Sequence, residues 1–129
     1  MFAADEASQA LGIKLVEAGN GQAVATMEVT SSMVNGHDIA HGGYVFLLAD
    51  TAFALACNSH GPATVAAGAE ISFVAAGRPG DQLVATATER TRFGRNGIYD
   101  VTVHRETPEG RQVVAEFRGR SRVIGKDQP

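Results

Sequence analysis

The residue least in keeping with its neighbours is Asp50, a lone carboxylate between Tyr44-Val45-Phe46-Leu47-Leu48-Ala49 and Thr51-Ala52-Phe53-Ala54-Leu55-Ala56-Cys57. Taking an unpaired charge out of water is unfavourable. Such a carboxylate therefore either meets a partner, an Arg or a backbone amide facing the same groove, or serves as a general base or nucleophile. Capping does not fit, because Asp caps a first turn and Asp50 falls about two turns inside the apolar run. Just before that run stands Gly42-Gly43. The first N–H groups of a helix lack internal partners and lie at the positive end of its dipole. Glycine there lets a carbonyl oxygen approach the main chain as it gathers negative charge; a tight turn into a helix uses the same pair. From Gly42 to Asp50 a helix rises roughly 12 Å, too far for one reacting group to touch both in one chain. Two such helices, side by side and antiparallel, would bring the amide of one to the carboxylate of the other and form two equal sites by symmetry.

Other polar residues carry weaker signals. His37 and His41 stand four apart, but in a loop with no Cys partner and no HExxH pattern, so a metal site is not expected. His41 fits better as a residue that positions substrate or orders the loop. Asn35 offers a neutral donor and acceptor for a carbonyl or a water, and Asn-Gly is also an ordinary turn pair. Cys57 has no basic neighbour in sequence and reads as packing, Ser59 lacks a G-x-S-x-G context, and His60 and His104 read as structural or exposed. Arg90, Arg92 and Arg95 cluster at one hairpin, and Arg118, Arg120 and Arg122 share one face of a strand. A solvated sheet face accounts for such runs, and either cluster would also suit the phosphates of a ligand.

The elements that position these residues follow from two periods. Alternation over Gln22 to Val29 marks a strand, with Ile13 to Val16 as its hairpin partner across Gly19-Asn20-Gly21. Ser31 to Gly43 reads as a long loop. Gly43 to about Asn58 is apolar in every direction of a helical wheel, so this helix should be enclosed on all sides, and His60-Gly61-Pro62 ends it. Alternation then returns in four strands. Val65, Ala67, Ala69, Ile71 and Phe73 face one way, then Leu83, Ala85 and Ala87, then Tyr99, Val101 and Val103, then Val113, Ala115, Phe117 and Gly119. Short breaks at Gly77–Gly80, Gly94–Gly97 and Pro108–Gly110 favour sequential antiparallel hairpins. The predicted fold class is α+β, a curved antiparallel sheet of five to six strands around one central apolar helix, the outline of a hotdog fold. A second subunit would cover the helix on its other side.

The 129 residues make one domain, with residues 1–6 and 125–129 expected to be flexible. With 44% hydrophobic and 19% charged residues the chain can bury a core. Its net charge of -3 disfavours nucleic-acid binding through bulk positive charge. No apolar stretch is long enough to span a membrane, and the single Cys57 excludes an internal disulfide. A reduced, cytoplasmic setting is the expectation.

The segment Asn35-Gly36-His37-Asp38-Ile39-Ala40-His41-Gly42-Gly43, followed by Phe46-Leu47-Leu48-Ala49-Asp50-Thr51-Ala52-Phe53-Ala54 and Cys57-Asn58-Ser59, closely resembles the hotdog-fold thioesterases of phenylacetate degradation, the PaaI type. The resemblance implies hydrolysis of an aryl-acetyl thioester of coenzyme A without metal or organic cofactor. It also implies a homotetramer built as a dimer of dimers, with active sites at the dimer interface. Carried onto this chain, it makes Asp50 the acidic catalyst, by direct attack or through water, and gives the Gly42 N–H to the thioester oxygen. Asn35 and His41 would orient the carbonyl or the water, and Thr51 would help position Asp50. Gly43, Phe46, Arg90, Arg92 and Arg95 are the substrate-binding candidates, with Tyr44, Phe53 and Phe73 as further pocket lining. Alternatives are a hotdog thioesterase for hydroxybenzoyl or medium-chain acyl groups, and a non-catalytic acyl-CoA-binding hotdog protein. An acyl-CoA hydratase is disfavoured, because Asp38 precedes His41 by three residues and no Pro follows Asn35.

Overall fold

In a computed structural model of the chain, which describes residues 2–125, one long helix lies across a six-stranded antiparallel sheet. A 3₁₀ turn over Phe2–Ala4 leads into a short helix α1 (Glu6–Ala10), so residues 2–6, expected to be loose, have defined structure. The expectation for residues 126–129 lies outside the described residues. Strands β1 (Lys14–Gly19) and β2 (Gln22–Glu28) form the anticipated hairpin. Asn20 and Gly21 take φ of 54° and 78° at its tip, the left-handed pair that a two-residue hairpin turn demands. The loop that follows contains a 3₁₀ turn at Ser31–Met33 and a Val34–Ala40 bridge. Helix α2 then runs over Gly42–Asn58. It starts one residue earlier than the hydrophobic run, because His41 caps it and Gly42 and Gly43 form its first turn.

Four strands come after α2: β3 (Thr64–Phe73), β4 (Gln82–Phe93), β5 (Asn96–Thr107) and β6 (Gly110–Val123). Their order across the sheet is β1-β2-β4-β5-β6-β3. The two later breaks are hairpins as expected, but the Gly77–Gly80 break is not. β3 pairs with β6 at one edge while β4 pairs with β2 in the interior, so Val74–Asp81 crosses the end of the sheet. Backbone bonds from Ala40 N–H to the Gly77 carbonyl (2.7 Å) and from Gly80 N–H to the Val29 carbonyl (2.8 Å) fasten this crossing to the loop and to the end of β2. A short connection therefore does not ensure a hairpin when a helix must be wrapped.

Alanine sets how closely helix and sheet approach. Ala23 pairs with Ala87 and Ala25 with Ala85 across β2 and β4, all essentially inaccessible, and these small side chains leave room for the Leu48 and Phe53 side chains. Each such large apolar group, fully buried, contributes roughly 1.5–3 kcal/mol. Phe53 packs against Tyr99 and Phe117 at ring-centroid distances of 5.6 and 5.8 Å.

Two bulges change the alternation read from sequence. One between Ala66 and Gly68 turns Val65 outward, while Ala69, Ile71 and Phe73 keep the inner side. Another opposite Val103 and His104 makes Val114, not Val113, buried beside Ala115 and Phe117. No helix among the described residues is long and apolar enough to cross a membrane.

Candidate active site

Helix α2 is not enclosed on every side within one chain. Val45, Leu48, Ala49, Ala52, Phe53 and Ala56 are buried against the sheet, whereas Gly43 is exposed and Leu47, Asp50 and Ala54 are half-buried. The last four recur at helical spacing and form one stripe that the chain's own sheet leaves open. Asp50 sits in that stripe. It forms no hydrogen bond or ion pair among the described residues, so none of them is the partner that a purely structural reading requires. Partial burial raises its carboxyl above the ordinary value, and the negative charge of Asp5 raises it further.

At the start of α2 the donors are divided between fold and solvent. His41 caps the helix, its Nδ1 accepting from the Gly43 N–H at 3.3 Å, and its carbonyl accepts from the Tyr44 N–H at 3.0 Å. The His41 N–H in turn donates to the Met33 carbonyl at 2.7 Å. His41 thus orders the loop, and the Gly42 N–H has no partner among the described residues. Gly42 borders a groove of about 350 Å³ whose walls include Asn35, Val45, Phe73, Val74 and Val114. A methyl group at Gly42 would lie 2.8 Å from Cζ of Phe73, so only glycine admits the ring against the helix start. Asn35 Oδ1 is committed to the His37 N–H at 2.9 Å, which leaves its amide Nδ2 as a second donor at the groove. Asp50 does not border this groove.

The other predicted residues are placed as follows. Thr51 is buried, with Oγ1 2.8 Å from the Leu47 carbonyl and 2.9 Å from Ser8 Oγ on α1. Phe46 packs edge-on to Phe117 at 5.3 Å. Arg90 pairs with Asp100 at 3.4 Å and Arg92 with Glu89 at 3.2 Å, while Arg95 bonds the carbonyls of Val123 and Gly125. Arg92 borders a smaller cavity beside Cys57 and His60, at the opposite end of α2 from Gly42. Burial pushes the Cys57 thiol up to about 12, which keeps it protonated at neutral pH. Ser59 Oγ accepts from the Gly21 N–H and donates to the Ala56 carbonyl. His60 lies 2.6 Å from Glu89, and His104 is buried. Among the described residues, no group of three His, Cys, Asp or Glu is placed to hold a metal ion. Sequence reading passed over Asp5 and Ser8, although an Asp three residues before a Ser is an ordinary N-cap spacing.

One apolar helix wrapped by a curved six-stranded antiparallel sheet is the arrangement of a hotdog-fold thioesterase. Comparison with known proteins agrees. Residues 37–111 match the thioesterase superfamily. The chain is 46% identical over 125 residues to the acyl-coenzyme A thioesterase PaaI of Escherichia coli K12, covering 97% of this chain and 87% of that protein. The structure of E. coli PaaI, from the phenylacetic acid degradation operon, superposes with a TM-score of 0.91, covering 97% of this chain and 88% of that one. A mutant of the phenylacetic acid degradation protein PaaI from Thermus thermophilus is 35% identical with a TM-score of 0.86, covering 93% of this chain and 100% of that one. A Streptococcus pneumoniae thioesterase solved with coenzyme A is 26% identical with a TM-score of 0.82, covering 90% and 91%. The chain belongs to the thioesterase superfamily and, within it, to the PaaI-type acyl-CoA thioesterases.

Proposed function

We propose that this thioesterase hydrolyses aryl-acetyl-CoA esters, of the phenylacetyl-CoA or hydroxyphenylacetyl-CoA type, to the free acid and coenzyme A, in support of phenylacetate degradation. The reaction takes place at sites shared between two copies of the chain. One observation carries the reading: the donors and the carboxylate are apart, with Gly42 at the start of α2 and Asn35 in the loop before it lining the groove, and Asp50 on the stripe of α2 that the sheet leaves open. An antiparallel pair of α2 helices joins them. The edge strand β3 supports such pairing, since it is hydrogen-bonded on one side only and ends in exposed Phe73 and Val74. We take the dimer to pair again into a tetramer that works in the cytoplasm.

In the reaction the substrate carbonyl accepts from the Gly42 N–H of one copy, and Asn35 orients the carbonyl or the water. Asp50 of the other copy removes a proton from water as its oxygen bonds to the carbonyl carbon, or adds to that carbon itself and is released by water afterwards. The negative charge gathers on the oxygen facing Gly42. When the C–S bond breaks, coenzyme A departs as a thiolate and takes up the proton, which asks for little acid assistance because thiols are far stronger acids than alcohols. Polarisation comes from the amide and the leaving group is already good, so neither metal nor organic cofactor is required. Arg90 and Arg92, 60% and 54% exposed, are free to turn toward the coenzyme A phosphates; Arg95 is tied to backbone and contributes charge alone.

Thiol release from phenylacetyl-CoA and hydroxyphenylacetyl-CoA, beside aliphatic and benzoyl thioesters, tests the reading in wild type and Asp50→Asn. Preference for the aryl-acetyl esters, with the folded variant slower by orders of magnitude, supports it. Preference for a benzoyl or medium-chain ester moves the substrate within the same chemistry. Binding of acyl-CoA by both proteins without turnover overturns catalysis altogether.

A further inference from the structure

Helix α1 is five residues long and makes its firmest polar contact with α2 at one place, next to Asp50. Asp5 caps α1: the Ser8 N–H donates to its Oδ1 at 3.0 Å, and Ser8 Oγ donates to its Oδ2 at 2.7 Å. Ser8, 1% exposed, is 2.9 Å from Thr51 Oγ1, which lies 2.8 Å from the Leu47 carbonyl. Two hydroxyl protons thus serve a carboxylate, a carbonyl and the contact between the hydroxyls. A charged Asp5 draws them its way, because a bond to an ionised acceptor is the stronger one. The chain ends on the turn of α2 that presents Asp50.

We propose that α1 is a positioning element of the catalytic centre, in which Asp5 and Ser8 hold through Thr51 the turn carrying Asp50. The inference rests on the reading of Asp50 as the base or nucleophile. Burial raises the Asp50 carboxyl above its ordinary value, and the negative charge of Asp5 adds to it. Among the described residues no cation forms an ion pair with Asp50. Glu6 on α1, Lys14 and Glu17 on β1 and Glu70 on β3 are exposed. Of the buried ionisable side chains on the strands, Tyr99 is bound to Glu89 and His104 lies beside Glu106. A like charge beside a carboxylate adds to what burial does, so losing the Asp5 charge moves the pH at which Asp50 becomes active part of the way back, whether it attacks or activates water.

The test is the pH profile of kcat/KM in the full chain. Asp5→Asn and Asp5→Ser keep a capping side chain and remove the charge. The acid limb should move to lower pH in both, with the plateau lowered no further than in Ser8→Ala, and raised salt should move the wild-type limb the same way while leaving the variants in place. Ser8→Ala should lower kcat several-fold with KM little changed. A limb that stays put in both Asp5 variants and in salt, while Asp50→Asn abolishes turnover, overturns the proposal and leaves the reading of Asp50 standing. Full activity in Asp50→Asn defeats that reading itself. If neither Asp5 variant folds, the salt response of the wild type decides.

Discussion

The two ends of α2 are built from similar residue types and do opposite work. At the C-terminal end every polar side chain is occupied. Asn58 clamps the Ala54 carbonyl and both backbone groups of Thr64, and Ser59 ties the helix to the β1–β2 turn. His60 meets Glu89, which also bonds Tyr99 and faces Arg92. At the N-terminal end the fold takes the Gly43 N–H and the Asn35 side-chain oxygen Oδ1. The Gly42 N–H and the Asn35 amide nitrogen have no partner among the described residues, and both residues line the groove. A polar group bonded within the chain stabilises the fold; one left without a partner beside an apolar groove is available to a ligand. The difference between these ends lies in satisfaction, not in composition.

Asp50→Asn breaks the comparison most severely. Beyond the loss of turnover, it should raise the melting temperature at neutral pH. The folded-state carboxyl is held above its ordinary value, so this group favours folding below its unfolded-state range and disfavours it as pH rises through the folded value. The gain over wild type should therefore shrink as pH falls toward the ordinary carboxylate range. Thermal melts across pH check this, and a variant less stable than wild type at neutral pH would mean that Asp50 has a partner in solution.

Gly42→Ala comes next. The amide survives, but the new methyl meets the Phe73 ring at 2.8 Å, and either ring or helix start must move. A displacement of that order at a positioned donor costs roughly 10- to 100-fold in kcat/KM. Stability should change little, because Phe73 is 56% exposed and can swing away. Gly42→Ala/Phe73→Ala should then recover part of the loss, and no recovery would place the defect in the helix start itself.

How much of this was legible in the sequence depends on the kind of signal. Helix α2, both strands of the first hairpin and the inner faces of β4 and β5 follow from periodicity, because one buried face imposes one period. The β3–β6 pairing does not, since the residues that select it are far apart in the chain and the Gly77–Gly80 break looks like any hairpin turn. Neither bulge is visible, because an extra residue leaves composition unchanged and shifts only which side chains face in. Asp50 stood out as a charge among apolar residues, and Gly42 as a glycine at a helix start. Which of the two glycine amides stays open was not readable, because it depends on the His41 side chain folding back as a cap. The Asp5–Ser8–Thr51 chain was missed because its hydroxyls come from segments with no shared period.

Glu89→Gln sharpens the comparison from the other end. Burial works against ionisation of Glu89, but the bond and charge of His60 and the Arg92 guanidinium outweigh it and hold the carboxyl below its ordinary value. Such a group contributes stability above its unfolded-state range and loses it as pH falls through the folded value. The variant should be less stable by about 1 kcal/mol at neutral pH, screening included, and the deficit should close in acid. The rate kcat should be unchanged, while KM for the acyl-CoA should shift because Arg92, a coenzyme A candidate, loses its Glu89 partner. A fall in kcat would show that the C-terminal end takes part in the reaction.

The smallest effect belongs to Asp100→Asn, although Asp100 makes the most regular ion pair in the molecule. Arg118 reaches it through Nε at 2.7 Å and through its NH2 group at 2.9 Å, and Arg90 lies at 3.4 Å. These groups lie on the open face of β4, β5 and β6, where water solvates each partner nearly as well as the other does and salt screens what remains. The Arg118 hydrogen bond and charge hold the Asp100 carboxyl below its ordinary value against slight burial, so any contribution it makes disappears only in acid. Melting temperature and turnover at neutral pH should both match wild type. A clear loss in either would mean that another copy of the chain covers this face and takes the pair out of water, since desolvation is what turns a surface ion pair into one that matters.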